Sequence, residues 1–460
     1  MIKYVQSLLG FTLVIIILIG IILQYPFNAA LAQQPMVVKD PNLKVDLLVQ
    51  GLRSPTSMAF LGPKDILILE KNDGTVQRIV NGTTISQQPL LQVPVATKNE
   101  RGMLGIAIAN HKNGPTYVFL YFTESGGGKI GDDVTDGVQP AANVLYRYEL
   151  LNGQLVNPKL LLSLPAAPSS NHNGGKVLVG PDNNVYVVIG DLKSHRTQAQ
   201  NLVDGPQVDG TGGILVVGQD GRPVTNPPLE LPGLTVGNGS SNSTSNEAAE
   251  NSTMSKYYYA YGIRNSFGMD FDPVTKKLWD TENGPNYGDE INLVEPGFNS
   301  GWAQVQGIWT PEGKIGIESA GPIVNLNSSP SSSNLVDFGG KGKYRAPEFI
   351  WFQTIAPTAL KFLNSTKLGK QYQNDMFVGD IRNGNLYDFK LNQNRTGLVL
   401  NGTTLSNKIA DTVQDSQPVL FASGFDDGIT DIQVGPDDGY LYVLTLTGSI
   451  YRIVPSSLSQ

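Results

Sequence analysis

No cysteine occurs in this chain of 460 residues, which excludes a thiolate nucleophile, an iron–sulfur cluster and a cysteine-ligated zinc site. A disulfide framework is excluded as well, and a chain of this length buries enough apolar surface to fold without one. Histidine is nearly as scarce: His111, His172 and His195 are too few and too scattered for a multi-histidine metal centre. Hard cations held by oxygen ligands remain compatible with this composition. Charge is sparse too, at 16 % of residues, and the net charge of −7 comes with no basic cluster, so nucleic acid is excluded as a partner.

Long hydrophobic runs are missing except at the start. Met1-Ile2-Lys3-Tyr4 leads into an uncharged stretch from Leu8 to Leu23, followed by Ala30-Leu31-Ala32, the small-residue pattern at which signal peptidases cut. A run of roughly 16 residues is short for a span of about 20. Residues 1–32 are therefore expected to be a signal peptide cleaved near Ala32, or else a retained anchor that tethers the protein to a membrane through residues 8–23. Either way the remainder is exported, extracellular or on the cell surface.

Past the leader, long helical periodicity is absent. Short β-branched and aromatic runs alternate with glycine-rich turns, which reads as all-β. One unit recurs: an apolar run, a Pro/Asp/Gly turn and a second apolar run. It is seen from Pro55 to Ile79, from Lys176 to Val187 around Gly180-Pro181-Asp182, more loosely around Asp272-Pro273, and from Ile432 to Val443 around Gly435-Pro436-Asp437. Radially repeated antiparallel blades produce such a pattern, and residues 33–460 divide into six of roughly 70 residues each. The expectation is a single six-bladed β-propeller, with a pair of β-sandwiches as the alternative. Val45 to Val49 is expected to pair with the last blade, so that strands from both ends of the chain seal the ring and leave it no open edge. Two insertions rich in Gly, Ser and Asn, 229–254 and 327–343, read as exposed flexible loops.

In a propeller, loops at one end of the central channel converge, so residues far apart in sequence meet there. Asn171-His172-Asn173-Gly174-Gly175, closed by Gly190-Asp191, sets a histidine among glycines between strands and makes His172 the candidate base. Tyr261-Gly262-Ile263-Arg264-Asn265 places an arginine before an apolar strand, where burial is costly unless an anion or a carboxylate such as Glu282 pairs with it. Gly284-Pro285 turns the chain so that carbonyls of the kind calcium prefers point outward. Glu282, Asp289 and Glu290 either ligate a metal or hold this loop by hydrogen bonds. His172, in the plainer reading, is a loop histidine satisfied by backbone groups.

At these residues the chain resembles the glucose/sorbosone dehydrogenases, soluble sugar dehydrogenases that use pyrroloquinoline quinone on a six-bladed propeller. The similarity also covers Glu100-Arg101-Gly102-Met103-Leu104-Gly105, Asp289-Glu290-Ile291-Asn292, Asn299-Ser300-Gly301-Trp302, Thr354-Ile355-Ala356-Pro357 and Val378-Gly379-Asp380-Ile381-Arg382. By that resemblance His172 would be the general base taking the proton of a sugar C1 hydroxyl, while the C1 hydride passes to the C5 carbonyl carbon of the quinone. Glu100 would orient the substrate, and Arg264 would stabilise developing negative charge. Asn265, Thr354 and Arg382, with Arg264, would fix the cofactor. Carbonyls of Gly284 and Pro285 would hold a calcium ion that polarises the quinone. The implied partners are an aldose substrate and an external electron acceptor.

Three positions depart from the family pattern. Gly428-Ile429-Thr430-Asp431 stands where the family carries arginine, apolar, arginine, aspartate; Asn171 replaces an aspartate; Glu100 replaces a glutamine. They motivate a second expectation, a non-catalytic binding propeller that has lost part of its cofactor site. A calcium-dependent lactonase on the same architecture is a third.

Overall fold

The computed structural model describes residues 36–457 except 113, 194, 230–253, 308, 311–312, 315–334 and 426–427. The leader, and with it the signal or anchor assigned to 1–32, lies outside the described residues. So does the insertion 229–254 except at its two ends. Among the described residues, no helix is long and apolar enough to cross a membrane.

The described chain is an all-β propeller. Six sheets have four strands or more, and a seventh has two. In chain order the innermost strands of the six larger sheets are Pro55–Gly62, Met103–Asn110, Val177–Val179, Ser266–Phe271, Pro357–Phe362 and Ile429–Val434. We number the sheets 1 to 6 by these strands. Each inner strand packs against the next, and the last returns to the first, so the sheets form a closed cycle around an axis. Among the described residues α-helix is confined to one turn, Asp132–Thr135.

The local signals act as the sequence suggests. Val177–Val179 and Val185–Ile189 pair antiparallel across the Gly180-Pro181-Asp182 turn, where Tyr186 donates its hydroxyl to Asp182 at 2.9 Å. The copy in sheet 6 repeats this contact between Tyr442 and Asp438 at 2.8 Å. Strands in the middle of a blade are covered on both faces, so they read as continuous apolar runs rather than alternating ones. Asp65–Glu70, with sequence DILILE, is buried at every position after the first.

One apolar cluster fills each gap between neighbouring sheets. Leu67, Leu69, Ile106 and Leu120 lie between sheets 1 and 2. Tyr121, Val187 and Leu215 lie between 2 and 3, and Val188, Met269 and Leu278 between 3 and 4. Trp279, Trp351 and Leu360 lie between 4 and 5, Phe377 and Ile432 between 5 and 6, and Ile68 and Leu444 between 6 and 1. Each fully buried side chain of this kind contributes about 1.5–3 kcal/mol of transfer free energy, so every gap between sheets adds to stability.

Sheet 6 is built from both ends of the described chain. Leu43–Val49 pairs antiparallel with Ile450–Pro455 as its outermost strand. The insertion 327–343 is described only from Leu335, where Leu335 and Phe338 are buried and Phe338 packs edge-on against Tyr261 at 4.8 Å.

Candidate active site

The first residues of all six inner strands, with the loops leading into them, line one cavity of about 460 Å³ on the axis. Thr56 and Ser57 come from sheet 1, Leu104 from sheet 2, Lys176 from sheet 3, Phe267 from sheet 4, Thr358 from sheet 5 and Thr430 from sheet 6. Glu100, His172, Arg264 and Asn265 line it as well. Four residues spread over 165 positions of sequence therefore share one site.

His172 sits on a sharp turn with φ of 63°, a left-handed conformation that histidine adopts more readily than most non-glycine residues but that still stores strain. Several contacts hold it there. Its backbone N–H donates to Glu100 Oε2 at 2.6 Å, and Gly174 N–H donates to Asn265 Oδ1 at 3.1 Å. Tyr121 and Asn143, from sheet 2, bond the carbonyl and side chain of Asn173 at 2.9 and 3.0 Å. Gly190 lies directly beneath: a Cβ there would come within 2.6 Å of both the His172 and the Arg264 carbonyl oxygens.

The imidazole is buried, and its Nδ1 meets Asp191 Oδ1 at 2.5 Å. Asp191 also accepts Lys193 N–H on Oδ1 at 2.7 Å and the Trp302 indole N–H on Oδ2 at 2.8 Å. With both carboxylate oxygens acting as acceptors, Nδ1 is the donor, and the lone pair of the neutral ring is on Nε2. The reading of His172 as a histidine satisfied by backbone alone is thus replaced: its ring partner is a buried carboxylate.

Arg264 follows the strand Tyr258–Tyr261, and its carbonyl accepts Asp191 N–H at 2.9 Å. The expected ion pair with Glu282 takes a different form. Glu282 Oε1 accepts the backbone N–H of Arg264 at 2.6 Å, whereas the guanidinium donates to the Asn283 carbonyl at 2.8 Å and lies 5.4 Å over the Trp302 ring. The Nε of Arg264 is buried without a partner. Burial pulls this guanidinium below its ordinary value, opposed by Asp191, Glu282, Glu100 and Asp289. Burial also pushes the Glu282 carboxyl up to about 7, against the hydrogen bonds from Arg264 N–H and Ser300.

The remaining expected residues stand just behind the cavity wall. Gly284 N–H donates to Asp289 Oδ1 at 2.8 Å, and Asp289 Oδ2 accepts Ile355 and Ala356 N–H, both at 2.7 Å. Asp289 is therefore a clasp between two turns, and among the described residues no group of three or more His, Asp or Glu is arranged to hold a metal. Arg382 Nη1 donates to the Thr354 carbonyl at 2.7 Å and hydroxyl at 2.9 Å. Thr354, Arg382, Gly284 and Pro285 do not line the cavity; their chain neighbours Asn283, Ala356 and Ile381 do.

Sequence reasoning missed Asp191 as the partner of His172, although Gly190-Asp191 stood out as the end of the motif. It looked for the orienting acid at position 171. It quoted Trp302 as the end of a family motif without giving it a role, and it gave no site role to Lys71 or Lys176. Lys176 forms a buried pair with Asp431 at 2.6 Å inside the cavity.

The fold is that of a β-propeller with one lined axial cavity, and the relatives of the sequence support an oxidoreductase. The chain belongs to the glucose/sorbosone dehydrogenase family, whose family model, "Glucose / Sorbosone dehydrogenase", matches residues 52–452. It is similar to an aldose sugar dehydrogenase of Escherichia coli, 25 % identical over 90 % of this chain and 93 % of that protein. It is also similar to quinoprotein glucose dehydrogenase B of Acinetobacter calcoaceticus, 25 % identical over 89 % of this chain and 86 % of the relative. Among solved structures, the PQQ-bound aldose sugar dehydrogenase of Streptomyces coelicolor shares the fold, with a TM-score of 0.59 and 20 % identity over 91 % of this chain and 99 % of its own.

Proposed function

We propose that this protein is an exported dehydrogenase that oxidises the C1 hydroxyl of an aldose to the lactone, using pyrroloquinoline quinone and calcium and passing the electrons to an external acceptor. We read the six larger sheets as the six blades of the family fold. The cavity suits a flat anionic ligand. Its volume lies within the range of small-molecule sites, roughly 300–1,000 Å³. Leu104, Phe267, Ile381 and Leu446 offer apolar wall, and Arg264 and Asn265 offer donors, with one guanidinium nitrogen still lacking a partner.

When bound, the quinone supplies the electrophilic carbonyl carbon that takes the hydride. The residues of the chain do the rest. Arg264 and Asn265 would hold the ligand from the wall, and Arg382, bonded to Thr354, would brace the turn that carries Ala356 and Ile381 into that wall. The carbonyls of Gly284 and Pro285 are the cation ligands in this reading. His172 Nε2 takes the hydroxyl proton, and Asp191 keeps the ring in the tautomer that leaves this nitrogen free of hydrogen and steadies the imidazolium that forms. Glu100 fixes the His172 backbone and so the aim of the ring.

The carrying observation is the His172–Asp191 pair in the same cavity as Arg264. The test is dye-coupled turnover of a panel of aldoses by protein loaded with quinone and calcium. H172A is expected to lower kcat by roughly 10²–10⁴. No turnover with any aldose, or turnover indifferent to H172A, defeats the proposal. Quinone-free hydrolysis of a lactone would select the lactonase instead.

A further inference from the structure

The cavity is short of positive charge on one side. Among the described residues its lining holds three cationic side chains, Lys71, Lys176 and Arg264. Lys176 is neutralised by Asp431, whose other oxygen accepts Ser57 Oγ at 3.1 Å and Met58 N–H at 2.9 Å. Arg264 serves the side formed by sheets 3 and 4. The wall formed by sheets 6 and 1, lined by Thr430, Leu446, Thr56 and Ser57, offers hydroxyls and apolar groups, and its one cation among the described residues is Lys71, beside sheet 1.

That is the sector in which the family pattern has its two arginines. The backbone here forbids one of them. Gly428 has φ of 93°, and a Cβ at that position would lie 2.1 Å from the carbonyl oxygen of Ile381. Lys71 reaches the same cavity from the neighbouring blade, directly after the strand Asp65–Glu70 of sheet 1. Its Nζ contacts are neutral acceptors, Asn72 Oδ1 at 3.0 Å and the Thr97 carbonyl at 3.4 Å. Among the described residues no carboxylate lies within ion-pair distance of it.

We propose that Lys71 is a carboxylate-binding residue of this cavity, replacing from sheet 1 the cationic contact that Gly428 and Thr430 no longer provide in sheet 6. The inference rests on the proposed function and extends it to a residue outside the family's motif set. The carboxylate has two sources of the same chemistry, the quinone itself or an acidic sugar. Lysine suits the position because its flexible stem carries a point charge across the gap between blades. Burial draws its ammonium down to about 8, opposed by Glu100 and Asp133. A bound carboxylate would hold that charge to higher pH.

The test begins with calorimetric titration of quinone into the full-length protein with calcium at pH 7. K71Q is expected to weaken quinone binding by about tenfold or more, as loss of a charge-assisted bond does, and K71R to retain affinity within about threefold. Raising the pH from 7 to 9.5 should weaken binding by wild type, as Lys71 loses its proton, more than binding by K71R. Glu100, Asp133, His172, Arg264 and the Arg101 that pairs with Asp133 at 3.2 Å are present in both proteins, so the difference isolates position 71. If quinone affinity is unchanged but K71Q raises KM for a uronic acid and not for a neutral aldose, the sugar carboxylate is the ligand. If neither changes in K71Q, and K71R follows the wild-type pH curve, the proposal is overturned. Wild type that binds no quinone defeats the proposed function first, and this inference with it.

Discussion

Replacing Asp191 by asparagine keeps the shape of the side chain and removes one acceptor, and the contacts around it determine the result. Oδ1 accepts from His172 Nδ1 and Lys193 N–H, and Oδ2 accepts from the Trp302 indole, so an amide can satisfy only one edge. With its oxygen toward His172, its NH2 faces the indole N–H, donor against donor. In the reverse orientation the NH2 faces Nδ1, the ring proton moves to Nε2, and the nitrogen aimed at substrate is no longer a base. Either orientation loses at least one charge-assisted bond, worth about 1.5–3 kcal/mol. Expressed in the transition state, this is roughly a 10- to 150-fold loss of rate. The assay is rapid mixing of loaded enzyme with aldose, following reduction of the bound cofactor, together with steady-state kcat and KM. D191N should lower kcat by that factor with KM within about threefold. Adding W302F removes the donor clash, so D191N/W302F should be less impaired than the product of the two single effects. A D191N enzyme within about a factor of two of wild type, at saturating aldose, refutes the assigned role.

G190A should disturb the same pair from below, since the added methyl meets the His172 and Arg264 carbonyls; a loss of about 1–3 kcal/mol in urea unfolding together with a lower kcat is expected. D431A leaves the Lys176 ammonium buried without its partner, and denaturant melts should show a loss of about 3–5 kcal/mol, smaller when Lys176 is changed to methionine as well. Glu282 and Asp289 have carboxyls raised to about 7 and about 6 by burial, so the folded state holds protons that the unfolded chain has released. Their contribution to stability is complete below the ordinary carboxylate range and is lost as pH rises through 6 and 7. Tm should therefore fall between pH 5 and about 7.5, with a shallower slope in E282Q; an unchanged slope counts against the assignment.

The blade pattern was legible because each turn carries its own local chemistry. The Gly-Pro-Asp turns and the tyrosines that cap them need no information from beyond the hairpin. The convergence expected of His172, Arg264, Gly284, Thr354 and Arg382 holds in one cavity for His172 and Arg264, while the other three do not line it. The partners within the site were not legible. Which acid reaches His172 depends on where the strand Val185–Ile189 ends relative to the turn before it, and that register is a property of the folded sheet. Trp302 and Asp191 are 111 residues apart, and no spacing rule links them. Lys71 was unmarked because a lysine after an apolar strand reads as a solvated end until the adjacent blade is in place. The pairing of Val45 to Val49 with the last blade was readable from an apolar run left over at one end.

The pairing of Leu43–Val49 with Ile450–Pro455 also bears on biosynthesis. A nascent polypeptide that has not yet made Ile450–Pro455 has two strands, Leu43–Val49 and Leu441–Thr445, that lack the partner lying between them, each a template for mispairing with another molecule. Leu43–Val49 and Ile450–Pro455 consequently share one fate: cutting away either one leaves the other without the ladder between them.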